Sequence, residues 1–133
     1  MENNQQELIF KLSMFEQQIQ QLQQQLQAVE QSIVDMNSLN LSLDELNGAK
    51  GKEIFSPIGR GIFARTKLLS EELTVDIGAK NFVKKTVPET KKIINEQIEK
   101  LMDVKNDLNE NIEKISEELQ KTLTIAQKQE KTN

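Results

Sequence analysis

From Leu8 onward apolar residues recur in alternating steps of four and three, through Leu8, Leu12, Phe15, Ile19, Leu22, Leu26, Val29, Ile33 and Met36. Such alternation keeps one stripe on one side of an α-helix and marks the seam of a coiled coil. The positions between are mostly Gln, Glu and Asn, which tolerate a helix and stay solvated. Leu43 keeps the register, Asn40 takes a seam position, and Gly48 offers a stop, because glycine readily adopts the left-handed conformation in which helices end. A first helix is predicted over about 5–47.

A second seam runs through Ile94, Ile98, Leu101, Leu108, Ile112, Ile115 and Leu119, and continues more weakly with Thr122 and Ala126. Lys105 interrupts it, and Val104 beside it is expected to compensate in part. The start is written locally: Thr86 and Glu89 form a capping-box pattern, and Pro88 falls in the first turn, where its missing N–H is harmless. This predicts a helix over about 87–129. Each helix is roughly 40 residues and on the order of 60 Å long at the usual rise, and neither can bury its own stripe. The simplest pairing is an antiparallel hairpin within the chain, which sets residues 8–15 beside 119–126. A parallel dimer with each helix paired between chains is the alternative.

Between the helices the period changes. Glu53–Ile58, Ile62–Leu69, Leu73–Ile77 and Phe82–Val87 read as four short strands with Gly-bearing connections, hence two β-hairpins over about 53–86. Leu73, Val75 and Ile77 alternate with Thr74 and Asp76, which gives one buried face. Pro57 donates no ladder hydrogen bond, so an edge or bulge is expected there. Such small hairpins leave strand edges and an apolar face uncovered, and sharing a sheet or barrel with other subunits removes both. The expected assembly residues are Ile54, Phe55, Ile58, Ile62, Leu68, Leu73, Val75, Ile77, Phe82 and Val83. A small capped sheet within a monomer is the plainer reading.

One end of the predicted hairpin carries more apolar residues than the seam needs. Beyond Leu8, Leu12 and Phe15 the first helix adds Ile9, Phe10 and Met14 off the seam, and the last helix adds Leu123 and Ile125 near Leu119. Farther along the first arm the off-seam positions are almost all Gln, Glu or Ser. An apolar patch with a flexible Met suits attachment to unfolded chains, which expose apolar segments of no fixed sequence. The plainer reading is a frayed end or a contact with a neighbouring arm.

Composition narrows the chemistry. The 133 residues include 0 His and 0 Cys, which removes imidazole and thiolate metal sites, Cys nucleophiles and His-based acid–base catalysis. Only five Phe and no Trp or Tyr are present, too little aromatic material for a large globular core. Gly59-Arg60-Gly61 lacks the third glycine and following helix of a nucleotide-binding loop, so no cofactor and no ATP hydrolysis are expected. The polar start and the lack of a long apolar run predict neither a secretory signal nor a membrane span, hence a cytoplasmic protein. The net charge of −4 is uneven: residues 1–48 and 93–133 are acidic, while 49–92 are basic. The basic middle holds only Phe55, Phe63 and Phe82 as aromatics, too few to form a run of stacking surfaces, and the chain as a whole is acidic, so a solvated platform face is expected and no nucleic acid. Glu71-Glu72 and Glu117-Glu118 read as solvated residues, with no cleft for acid–base work.

The order helix, two hairpins, helix, with Glu53-Ile-Phe-Ser-Pro-Ile-Gly59 opening the strands and Leu73-Thr-Val-Asp-Ile-Gly78 followed by Phe82-Val-Lys-Lys85, resembles the alpha class of prefoldin subunits, of archaeal type. The resemblance covers essentially the whole chain; the beta class carries one hairpin. Arg60 stands where a smaller residue is commoner, and Lys80-Asn81 replaces a more apolar turn. The fold class implied is mainly α with a small β insert: a long antiparallel coiled-coil hairpin whose helices are connected by two β-hairpins that join an inter-subunit β-barrel. The resemblance further implies a single domain over 1–133 and a hexamer with prefoldin beta-type subunits, two alpha and four beta. Its six arms would hold non-native polypeptides and pass them to a group II chaperonin. In that role Leu8, Ile9, Phe10, Leu12, Met14, Phe15, Leu119, Leu123 and Ile125 would bind unfolded protein, without catalysis, metal or cofactor. The rivals are a structural coiled-coil scaffold or tether, an accessory arm of an RNA-binding enzyme, and an oligomer of alpha-type chains alone.

Overall fold

The computed structural model describes residues 2–132, with the elements α1 (Glu2–Leu46), β1 (Glu53–Gly59), β2 (Ile62–Lys67), β3 (Leu73–Asp76), β4 (Phe82–Lys85) and α2 (Val87–Thr132). Two long helices thus flank two separate two-stranded antiparallel sheets, β1–β2 and β3–β4. Both helices run a few residues past their expected outer ends. The chain falls into two compact units, Val34–Glu99 and the pair of segments Met1–Ile33 with Lys100–Asn133.

In the first of these units α1 and α2 run antiparallel, bonded from Asn40 to Asn95 and from Asp44 to Lys91. Their facing stripes bury Leu43, Val87 and Ile94, with Met36, Leu46, Leu73 and Ile98 packed against them. α2 begins where the sequence marks it. Thr86 Oγ1 accepts from the Glu89 amide at 3.2 Å, and the Thr86 carbonyl accepts from the Thr90 amide at 3.0 Å and from its hydroxyl at 2.8 Å. The cap satisfies donors that the first turn otherwise leaves free. α1 stops two residues before Gly48, whose φ of 76° ends the helical path.

The first hairpin pairs Glu53 with Lys67 and Phe55 with Arg65, and its register shifts between Pro57 and Gly59, the irregularity expected of a residue without an N–H. Leu68 lies beyond β2, where its amide donates to the Lys52 carbonyl and its carbonyl accepts from the Gly51 amide. The second hairpin pairs Leu73 with Lys85 and Val75 with Val83. Ile77 falls just outside β3; its amide donates to the Asn81 carbonyl and closes the turn.

That turn has an unusual composition. Its central residues Ala79 and Lys80 have φ of 51° and 61°, and the Asn81 amide donates to the Gly78 carbonyl. Two consecutive left-handed residues make a type I′ hairpin turn, for which Asn-Gly is the favoured pair, and the Cβ of any other residue is strained there against the following carbonyl oxygen. Replacing Ala79 and Lys80 together by Asn and Gly is expected to stabilise the protein by about 1 kcal/mol. Denaturant unfolding of the double variant checks this; an unchanged or lower midpoint would show that the turn holds no strain.

In the second unit the residues of both seams are half-buried or buried. Leu8, Leu12, Phe15, Ile19, Leu22, Leu26 and Val29 are half-buried while nearly all positions between them are exposed. On α2 Leu108 and Thr122 are buried, and the Thr122 hydroxyl donates to the Glu118 carbonyl at 2.8 Å. Thr122 therefore fits the seam better than its polarity implied, because its one donor is used within the helix. Lys105 itself takes the half-buried seam position, and Val104 is exposed. The expected compensation by Val104 does not occur: a one-residue step on a helix turns a side chain by about 100°, away from the partner. A long basic side chain can cover a seam with its methylene stem and keep its ammonium in water, which accounts for a half-buried lysine at this position.

Candidate functional site

The segments facing each other in the second unit include Gln18, Gln21, Leu22 and Gln25 of α1 and Asn111, Lys114 and Ile115 of α2, which line one shallow cleft. Carried along both helices, this antiparallel register places residues 8–15 opposite 119–126, as the spacing predicts. Here Leu8, Leu12, Phe15, Leu119 and Leu123 are half-buried. Ile9, Phe10, Met14 and Ile125 are 66%, 65%, 43% and 49% exposed. The nine tip residues thus divide into those that close the helix pair and four that leave an open apolar surface. Leu123 belongs with the first set, although it lies off the heptad series.

The ten expected assembly residues also divide. In β1–β2 the half-buried side presents Ile54, Ser56, Ala64 and Thr66, with the Ser56 and Thr66 hydroxyls bonded at 2.6 Å. The opposite side exposes Phe55, Pro57 and Phe63, and the Arg65 guanidinium lies 5.9 Å from the Phe55 ring and 3.5 Å from the Glu53 carboxylate. Ile58 and Ile62, around the bulge and turn, are exposed. In β3–β4 Leu73, Val75 and Val83 are half-buried, while Phe82 and Ile77 are exposed. Alternation along a strand puts Phe55 opposite Ile54 and Phe82 opposite Val83, so these residues occupy two faces of each hairpin. The single buried face expected for Leu73, Val75 and Ile77 stops short of Ile77, which lies in the turn. Leu73 serves the chain's own core.

Sequence reasoning missed two features of this unit. The amide of Gly48 donates to the Glu71 carboxylate, so Glu71 is half-buried and ties the end of α1 to the segment before β3. Glu71 had read as merely solvated, and no local pattern reveals a partner 23 residues away. Val34, Leu39 and Leu41 are 56%, 45% and 68% exposed, a second set of apolar residues off the α1 seam. Their signal was present in the sequence, since Leu39 and Leu41 flank the seam residue Asn40.

Among the described residues no group of three or more His, Cys, Asp or Glu could hold a metal ion. None of the described helices is long and apolar enough to cross a membrane. The geometry defines a class: two long helices that run antiparallel, two separate β-hairpins between them in chain order, and an apolar surface on the helix ends of the second unit.

Comparison with known proteins places the chain within that class. Residues 15–131 match the model of the prefoldin family, described as prefoldin subunit. The chain is 31% identical over 112 residues to prefoldin subunit alpha of Methanobrevibacter smithii, covering 84% of this chain and 77% of that one. It is 28% identical over 123 residues to prefoldin subunit alpha of Thermofilum pendens, covering 88% and 95% respectively. Its fold is similar to a cryo-EM structure of filamentous PFD from Methanocaldococcus jannaschii, with a TM-score of 0.75 at 18% identity, covering 86% of this chain and 96% of that one. The chain belongs to the prefoldin family of chaperones and is of the alpha-subunit type.

Proposed function

We propose that the chain is a subunit of an ATP-independent holdase, working in the cytoplasm, which binds non-native polypeptides at the helix ends, prevents their aggregation and passes them to a group II chaperonin. One observation carries this reading: Ile9, Phe10, Met14 and Ile125 stay largely exposed where the helices are already paired through Leu8, Leu12, Phe15, Leu119 and Leu123. Large side chains left in water at a site that needs none of them for its own fold favour a partner, and unfolded protein offers matching apolar segments. The hairpins supply the assembly surface. Phe55, Ile58, Ile62, Phe63, Ile77 and Phe82 are each about three-fifths exposed or more, and two-stranded sheets alone are marginal. The partners that fit are prefoldin beta-type subunits, in a hexamer of two alpha and four beta, with an alpha-only oligomer as the alternative. Mass measured with and without a beta-type chain separates the two.

The holdase is tested by light scattering from a chemically denatured protein diluted into buffer with the assembled complex and no ATP. Changing the four exposed residues Ile9, Phe10, Met14 and Ile125 to Ser in an intact complex is expected to raise the concentration needed for suppression by about tenfold or more. Equal suppression by both forms would move the binding surface elsewhere. Suppression by neither would leave the scaffold reading.

A further inference from the structure

A face of α1 continues inward from the apolar helix end. Phe10, Met14, Gln18, Gln21 and Gln25 follow one another in steps of four, four, three and four, so they share one side of the helix, and all five are exposed. Around them the composition is peculiar. No charged residue occurs between Glu16 and Glu30, and eight of the eleven residues 17–27 are Gln. α2 is unlike this: ten of the residues 100–121 are charged. A surface needed only for solvation is well served by Glu and Lys four residues apart, which also stabilise a helix, and the Gln stretch forgoes that support. Gln18, Gln21 and Gln25 instead rim a cleft of about 400 Å³, whose opposite rim carries Asn111 and Lys114 and whose seam side is Leu22 and Ile115.

We propose that this face is a track for an extended stretch of unfolded polypeptide, anchored by apolar contact at Phe10 and Met14 and held by the Gln18, Gln21 and Gln25 side-chain amides, which hydrogen-bond its main chain. The inference rests on the holdase reading and gives the bound species a conformation and a second mode of recognition. A primary amide both donates and accepts, and an unfolded chain presents an N–H and a C=O at nearly every residue whatever its sequence. A carboxylate only accepts and an ammonium only donates, so a charged face would sort polypeptides by charge; an amide face does not. Leu22 and Ile115 offer an apolar side to alternate side chains of a strand-like segment. From Phe10 to Gln25 the helix rises about 22 Å, the span of roughly seven extended residues.

The test uses the full chain in its assembled form and two probes, followed by fluorescence anisotropy. The first is labelled, reduced and carboxymethylated lactalbumin, which stays unfolded. With Gln18→Ala, Gln21→Ala and Gln25→Ala combined, binding is expected to weaken about tenfold. Alanine is the better helix former, and circular dichroism confirms that the helices persist. The second probe is a labelled repeat peptide of leucine, alanine and serine, with a counterpart N-methylated at alternate residues. Methylation is expected to weaken binding to the native chain about tenfold and to make little difference to the triple variant. If the triple variant binds lactalbumin like the native chain, or if methylation matters equally for both proteins, the track is wrong. Loss of binding in the tip variant alone would overturn the track and leave the holdase reading standing; native binding by the tip and triple variants alike would overturn the track and move the binding surface elsewhere, and no binding of lactalbumin by the native complex would remove the holdase reading itself.

Discussion

Leu43→Ala is expected to cost about 3 kcal/mol of stability, and Leu41→Ala no more than about 0.5 kcal/mol, although the two leucines are two positions apart on one helix. Leu43 is 6% exposed and packs in the cluster with Val87 and Ile94, whereas Leu41 is 68% exposed. The cluster is small, so one truncated member leaves a cavity with few neighbours able to close it, and the penalty adds to the lost transfer free energy. Unfolding of the two variants by denaturant, followed by circular dichroism, reads the difference directly. Equal losses would show that the apolar contact at this end of α1 is made with a partner chain and not within the hairpin.

The second large effect concerns the polar pair in the same unit. Asn40 Nδ2 donates to Asn95 Oδ1 at 2.6 Å across the two helices, and Asn40 Oδ1 is buried without a partner among the described residues. The two residues should respond in opposite directions. Asn95→Ala removes the acceptor of an exposed hydrogen bond and leaves Asn40 Nδ2 to water, which costs about 0.5–1.5 kcal/mol. Asn40→Leu removes the buried unpaired oxygen and extends the apolar seam, which stabilises by about 1 kcal/mol or more. The gain carries a loss of specificity, because a lone polar seam residue favours one register and one partner. Asn40→Leu is therefore expected to melt higher and to show additional oligomers by size-exclusion chromatography with light scattering. A lower melting temperature for Asn40→Leu would sink this account of the pair.

Much of the candidate site was readable because its signals are local or periodic. The alternation of fours and threes located both seams, and any apolar residue breaking that series near a helix end, as Ile9, Phe10 and Met14 do, had to point elsewhere. The cap at Thr86 and the break at Pro57 are likewise properties of a few neighbouring residues. What was misread depended on neighbours distant in sequence. Nothing near Glu71 announces the Gly48 amide, nothing near Asn95 announces Asn40, and the burial of Leu73 follows from its meeting Leu43, Val87 and Ile94.

By itself the sequence determined the two helices, the four strands and an apolar surplus at one end. These follow from periodicity, capping and turn chemistry, which act over a few residues and need no knowledge of what lies across the fold. Only the tertiary structure decided which apolar residues are left over. Burial depends on what faces a side chain, so Leu123 and Ile125, both off the seam and alike in the sequence, part company in the folded chain, where Leu123 is half-buried and Ile125 exposed.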